Sequence, residues 1–243
     1  MKKLLLVLCL AFSLSNISAQ KTYALLTGIS RYSNEEANLN QTTKDIKEIR
    51  RVLINQGFTV ATLTSKYVNH DNIVRKLNAI VKIAKPEDRI MFFYSGHGDT
   101  GGMLTYEMSL FKYNELINIL SKAKTKKIFC FIDACRSGSA GNALTGNYGW
   151  NSEGPNGITF MLACRDNEFS FENSWVGNGF FTKALLKGMR GMSDMNKDKK
   201  VTLLELFKYV YNDVTARTSS SEEPQHPQLF GPKSMHQTIL FSW

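Results

Sequence analysis

A chain of 243 residues, 43% hydrophobic and 21% charged, is long enough for one well-cored domain and short for two, so a single domain is expected. The formal charge of +9 would suit an anionic surface or nucleic acid. However, the clustered Lys122, Lys124, Lys126 and Lys127 come with neither aromatic interleaving nor a nucleic-acid motif, so they read as a solvated helix end and exclude nucleic acid as the expected partner.

In chain order, the first feature is Lys2 and Lys3 ahead of the apolar run Leu4 to Leu14 and the stretch ending Ser18-Ala19-Gln20, the layout of a secretory signal. About 11 apolar residues fall well short of the roughly 20 that span a bilayer. A signal peptide over 1–19, a mature domain over 20–243, secretion to a periplasm or the exterior and no stable membrane insertion are therefore expected. Cleavage would lower the charge to +7, since it removes Lys2 and Lys3 and no acids. Cys130, Cys135 and Cys164 then remain, an odd set that leaves at least one free thiol in an oxidising compartment. No CxxC or Cys/His spacing suits zinc.

The mature region alternates strands and helices. Tyr23 to Ile29 reads as a first strand, Thr42 to Gln56 as a helix closed by Gly57, Phe58 to Leu63 as a second strand, and Asn72 to Ala84 as a helix stopped by Pro86. Arg89 to Tyr94 and Lys127 to Ile132 are almost continuously apolar, as strands buried on both faces of a parallel sheet are. Tyr113 to Ala123 reads as a helix between them. After a Gly/Ser/Asn-rich loop over Arg136 to Asn156 come a strand over Gly157 to Ala163 and helices over Phe180 to Met189 and Leu203 to Ala216. An edge strand is expected over Gln237 to Trp243. Strands joined by crossover helices imply an α/β domain with a mainly parallel sheet covered on both faces.

Function in such sheets gathers where strands end. One buried strand runs into Ser95-Gly96-His97-Gly98-Asp99 and another into Asp133-Ala134-Cys135-Arg136-Ser137-Gly138. A histidine and a cysteine at neighbouring strand ends make a nucleophile and its proton carrier, because imidazole can lower the thiol pKa and later protonate a leaving amine. Cys130 and Cys164 lie inside strands and read as small core residues. His70, His226 and His236 sit in polar or Pro-flanked contexts without such a partner.

The segments Tyr23 to Ile29, Tyr94-Ser95-Gly96-His97-Gly98, Asp133-Ala134-Cys135-Arg136-Ser137-Gly138 and Asn178-Gly179-Phe180-Phe181-Thr182 to Gly188 together resemble caspase-like and metacaspase peptidases, over about 190 residues and in the family's order. The resemblance implies a three-layer α/β/α sandwich over 20–243 and a cysteine endopeptidase acting on protein or peptide substrates. In it Cys135 is the nucleophile, His97 the acid/base, and the N–H groups of Gly98 and Cys135 form the oxyanion hole; no third catalytic side chain is implied. Caspases that select Asp carry Gln two residues before the cysteine, whereas this chain has Asp133 there, as metacaspases that cut after Arg or Lys do. Ser95 matches their serine two before the histidine. Asp45 matches their aspartate after the first strand by one leucine and one acid alone, and also reads as a first-turn helix acid. A carboxylate in a primary pocket favours a cationic side chain. The stretch Ser137 to Cys164 has no Lys or Arg, so a single-chain enzyme is expected, and a monomer.

Asp194, Asn196, Asp198 and Glu205 stand at positions one, three, five and twelve of an EF-hand-like loop whose sixth residue is Lys199 rather than Gly. The same residues read as a turn followed by a Thr202–Glu205 capping box, which is favoured. No cofactor is required, and calcium stays open. A catalytically silent scaffold domain is the other reading of the chain, against which the intact His97 and Cys135 argue; a transpeptidase, or a protease selecting Asn or Asp, would use the same pair.

Overall fold

The computed structural model describes residues 19–134, 137, 138, 140, 157–165, 179–221 and 224–243. Cys135, most of the loop over 136–156 and all of the expected signal peptide but Ala19 lie outside these. The elements run β1 (Thr22–Gly28), α1 (Thr42–Asn55), β2 (Thr59–Thr64), α2 (His70–Ile83), β3 (Arg89–Ser95), β4 (Gly98–Asp99), β5 (Gly102–Leu104) and β6 (Leu110–Lys112). They continue with α3 (Tyr113–Leu120), β7 (Ile128–Asp133), β8 (Ile158–Leu162), α4 (Phe180–Lys187), β9 (Lys200–Thr202), α5 (Leu203–Thr218), β10 (Gln228–Phe230) and β11 (Ile239–Ser242).

Six strands pair in the order β10-β8-β7-β3-β1-β2. All contacts are parallel except that of β10 with β8. The pleat divides the apolar strands between two cores. Ala24, Leu26, Met91, Phe93, Phe129, Phe131 and Met161 pack on one face with Ile46, Ile49 and Leu53 of α1, Phe181 and Leu185 of α4, and Leu206 and Val210 of α5. Leu25, Phe92, Tyr94, Cys130, Ile132 and Phe160 pack on the other face with Ile73 and Leu77 of α2 and Leu116 and Leu120 of α3. The result is the α/β/α sandwich. Burial pushes the Cys130 thiol far above its ordinary pKa, as its place in the core requires.

Three features differ from the sequence reading. Helix α2 begins at His70, two residues early, because the Asn69 side chain accepts the Asn72 N–H at 2.9 Å and so caps the helix. The C-terminal run does form a strand, but β11 pairs with β9 in a ribbon of its own, and the edge of the main sheet belongs to β10. Arg89 fixes that ribbon, donating to the Ile239 and Leu240 carbonyls at 2.5 and 3.3 Å while its guanidinium lies 5.6 Å from the Phe58 ring. Finally, the small antiparallel sheet β4-β5-β6 follows the histidine loop where no strand was expected, its strands being two or three residues long. The lysines after α3 alternate with buried Ala123 and Thr125 along a surface connection, in keeping with a solvated face.

Candidate active site

Strands β1, β3 and β7 end in register: Gly28 stands beside Ser95, and Ser95 beside Asp133. In parallel strands such neighbours share a face, and here it is the face covered by α1 and α4. Both helices add a side chain to the row. From the first turn of α1, Asp45 reaches Ser95, whose Oγ donates to Asp45 Oδ2 at 3.2 Å. From the first turn of α4, Thr182 donates to Asp133 Oδ2 through its hydroxyl at 2.7 Å and its amide at 3.3 Å. Asp45, Ser95, Asp133 and Thr182 are all buried. Gly28 makes this gathering feasible, since a Cβ there would lie 2.4 Å from Ile46 Cγ1 of α1; any side chain would push the helix that carries Asp45 away from the sheet. Thus the three pocket residues expected from the sequence, including the weakly matched Asp45, meet at one strand edge.

His97 follows immediately, in a loop held on every side. Its N–H donates to Tyr32 Oη at 2.7 Å, and its carbonyl receives both the Tyr94 hydroxyl at 2.6 Å and the Leu104 N–H at 2.9 Å. Tyr94 is fully buried, and that burial pushes its ionisation well above the ordinary phenol range, so it stays a neutral donor. Gly96 permits this arrangement: a Cβ would come within 2.6 Å of the Tyr94 hydroxyl and 2.8 Å of the Tyr32 hydroxyl.

The half-buried imidazole lies 2.8 Å through Nε2 from the Ala37 carbonyl, with its ring centroid 5.0 Å from that of Tyr32. A carbonyl can only accept, so Nε2 carries the proton of the neutral ring, and the lone pair belongs to Nδ1. The residues around Ala37 are themselves tied down by Asn38 Oδ1, which accepts the Tyr32 N–H at 2.8 Å, and by a bond from Leu39 N–H to the Ser30 carbonyl at 3.0 Å. The fold thereby presets which nitrogen can take a proton. The Leu104-to-His97 bond also makes Gly98 and Met103 the pair of the β4–β5 ladder that exchanges no hydrogen bonds, so the Gly98 N–H turns away from β5.

Cys135 and Arg136 lie outside the described residues, whereas Ala134 and Ser137 are described. Ser137 Oγ accepts the Cys164 N–H at 3.3 Å, and the Cys164 thiol lies 3.4 Å from the Ala134 carbonyl. Ala134 and Ser137 are thus both held to Cys164, two residues past the end of β8. Cys164 is buried, as expected, although it lies past the end of β8 rather than inside a strand.

The proposed ion-loop residues are used locally. Asp194 accepts the N–H groups of Asp198 and Lys199, Asn196 also accepts that of Asp198, and Asp198 accepts that of Lys200. Glu205 closes the capping box with Thr202. Among the described residues no group of three or more His, Cys, Asp or Glu side chains is gathered so as to hold a metal.

Sequence reasoning gave no role to Tyr32, Tyr94, Thr182 or the Ala37 carbonyl. Tyr94 and Thr182 lie within the stretches that carried the resemblance, so distance along the chain did not hide them. Their roles depend on hydroxyl direction, and a backbone carbonyl leaves no trace in residue type.

Comparison with known proteins agrees with this architecture. A probable protease from a Desulfuromonadales bacterium is 26% identical over 86% of this chain and 31% of its own length. Metacaspase-1 of Scheffersomyces stipitis is 33% identical over 37% of this chain and 24% of its own. The chain thus spans a third or less of these relatives. The crystal structure of a Geobacter sulfurreducens protein, 18% identical, superposes with a TM-score of 0.69 over 91% of this chain and 98% of that one and shares its fold. Residues 21–235 match the Caspase domain family, and to that family the chain belongs.

Proposed function

We propose that the protein is a cysteine endopeptidase that cleaves after Arg or Lys, with Cys135 as nucleophile and His97 as acid/base. The observation that carries this reading is the convergence of Asp45, Ser95 and Asp133 on one strand edge next to a histidine whose Nε2 is committed to the Ala37 carbonyl. Nδ1 of His97 takes the Cys135 proton, and the thiolate attacks the scissile carbonyl carbon. The Gly98 and Cys135 N–H groups receive the developing oxyanion, an interaction typically worth about 3–4 kcal/mol per donor. Protonated His97 then gives its proton to the leaving amine as the C–N bond breaks, which leaves a thioacyl-enzyme. Water, deprotonated by His97, attacks this ester, releases the acid and restores the thiol. Asp133 and Asp45 supply the negative charge that draws a basic side chain into the primary pocket.

The enzyme works as a secreted, single-chain monomer on protein substrates, and calcium is a variable of the assay rather than a part of the chemistry. The test is hydrolysis of fluorogenic peptides ending in Arg, Lys, Asp or Asn under mild reductant, with and without calcium. Cleavage after Arg and Lys, lost on Cys135→Ala, is expected. No turnover of any peptide with Cys135 shown to be reduced would favour a scaffold role instead.

A further inference from the structure

Resting on the reading of Asp133 as the pocket acid, we propose that Thr182 is the positioning residue that sets the specificity of this enzyme for basic side chains. Thr182 is fully buried on the first turn of α4, where a threonine hydroxyl would ordinarily turn to its own helix or to water. Instead both donors of the residue converge on a single oxygen of a carboxylate 49 positions away in sequence, the hydroxyl at 2.7 Å and the amide at 3.3 Å from Asp133 Oδ2.

Two donors on one oxygen do more than neutralise it. They fix the rotation of the carboxylate about its Cβ–Cγ bond and hence the direction in which Oδ1 is presented. The amide belongs to the third residue of a helix, one of the first-turn N–H groups that have no partner within the helix. Asp133 therefore also docks α4 against β7, and this docking is the competing, purely structural account of the contact. The two accounts separate by what they leave unchanged. Thr182→Val removes the hydroxyl, keeps the amide and preserves the shape. If the hydroxyl aims the pocket acid, binding of the basic side chain suffers while the chemistry at Cys135 does not, so KM rises and kcat stays.

The experiment compares wild type, Thr182→Val, Thr182→Ser, Asp133→Asn and the Thr182→Val/Asp133→Asn pair on an Arg-ending and a Lys-ending fluorogenic peptide, with the thermal midpoint of each variant recorded. Expected are a roughly 10-fold rise in KM for Thr182→Val with kcat within about 2-fold, recovery in Thr182→Ser, and no further rise when Thr182→Val is added to Asp133→Asn. An unchanged KM, a fall in kcat alone, or a rise that Asp133→Asn leaves additive would overturn the positioning role while the pocket reading stands. Wild type that ignores both peptides but cleaves others would overturn the pocket reading, and this inference with it. Should Thr182→Val fail to fold, the Thr182→Ser and Thr182→Ala variants carry the same comparison, since serine keeps the hydroxyl that alanine lacks.

Discussion

Two ends of one sheet each bury acid side chains, and they satisfy them differently. At the N-terminal edge of β3, Asp88 is 1% exposed, and its two oxygens accept the Lys21 and Lys85 backbone N–H groups, both at 2.9 Å. At the C-terminal edge Asp133 is 7% and Asp45 1% exposed, and each receives a side-chain hydroxyl, from Thr182 and Ser95 respectively. A backbone amide is fixed by the fold and cannot re-aim, so Asp88 serves to close the chain around the start of β1 and β3. Asp133 accepts the Thr182 backbone amide as well as its hydroxyl, and a hydroxyl, unlike an amide, belongs to a side chain that substitution can change without altering the chain. The same residue type, buried at both ends, is thus held by backbone amides alone at one end and with the help of side-chain hydroxyls at the other.

The largest expected effect breaks this comparison at the end proposed to hold the pocket. Asp133→Asn keeps an oxygen for Thr182 but removes the charge, and kcat/KM for an Arg-ending peptide should fall about 100-fold, because leaving one partner of a desolvated ion pair typically costs about 2–5 kcal/mol. Its urea midpoint should move little. Peptide kinetics beside chemical denaturation checks both halves; equal losses in the two would place Asp133 with Asp88 as a structural acid.

The mirror experiment is Asp88→Ala. Two charge-assisted bonds to backbone amides disappear, and those buried amides lose their acceptor. Stability should drop by about 3 kcal/mol, while kcat/KM of the protein that remains folded should not change. Urea unfolding with activity measured below the transition reads both. A loss of activity without a loss of stability would contradict the division between the two ends.

How much of this was legible beforehand follows the same divide. Apolar runs such as Ile128 to Ile132 announced a strand buried on both faces, and Ile46, Ile49 and Leu53 announced the helix that covers it, since burial acts through side-chain identity and spacing. His97, Ser95 and Asp133 were visible because glycine-bounded strand ends place them. Asp45 was visible only as an ambiguous acid: a carboxylate in the first turn of a helix suits the helix dipole and a pocket equally, and only its contact with Ser95 joins it to the row. The orientation of His97 was not legible, because it depends on the carbonyl of Ala37. The β9–β11 ribbon was misplaced for a related reason. The apolar run Ile239 to Phe241 suggests a strand but not its partner, and the ribbon it joins is tied down by Arg89, which lies 150 positions away from Ile239.

The loop over 194–200 tests whether the comparison extends beyond the sheet. Asp194 and Asp198, like Asp88, have their oxygens on backbone amides, which groups them with the structural acids. The turn they stabilise holds Lys199 at φ +63 and Lys197 at φ +60, a left-handed conformation that costs a residue with a Cβ about 1–2 kcal/mol. Lys199→Gly removes that cost and adds about 0.5–1 kcal/mol of backbone entropy to be lost on folding. The net gain should be about 0.5–1 kcal/mol, whereas Lys200→Gly, within β9, should lose stability. Equal gains for Lys199→Gly in chelator and in calcium would leave the acids as turn-closing groups. A gain that depends on calcium and vanishes with Asp194→Asn would make them ligands to an ion instead.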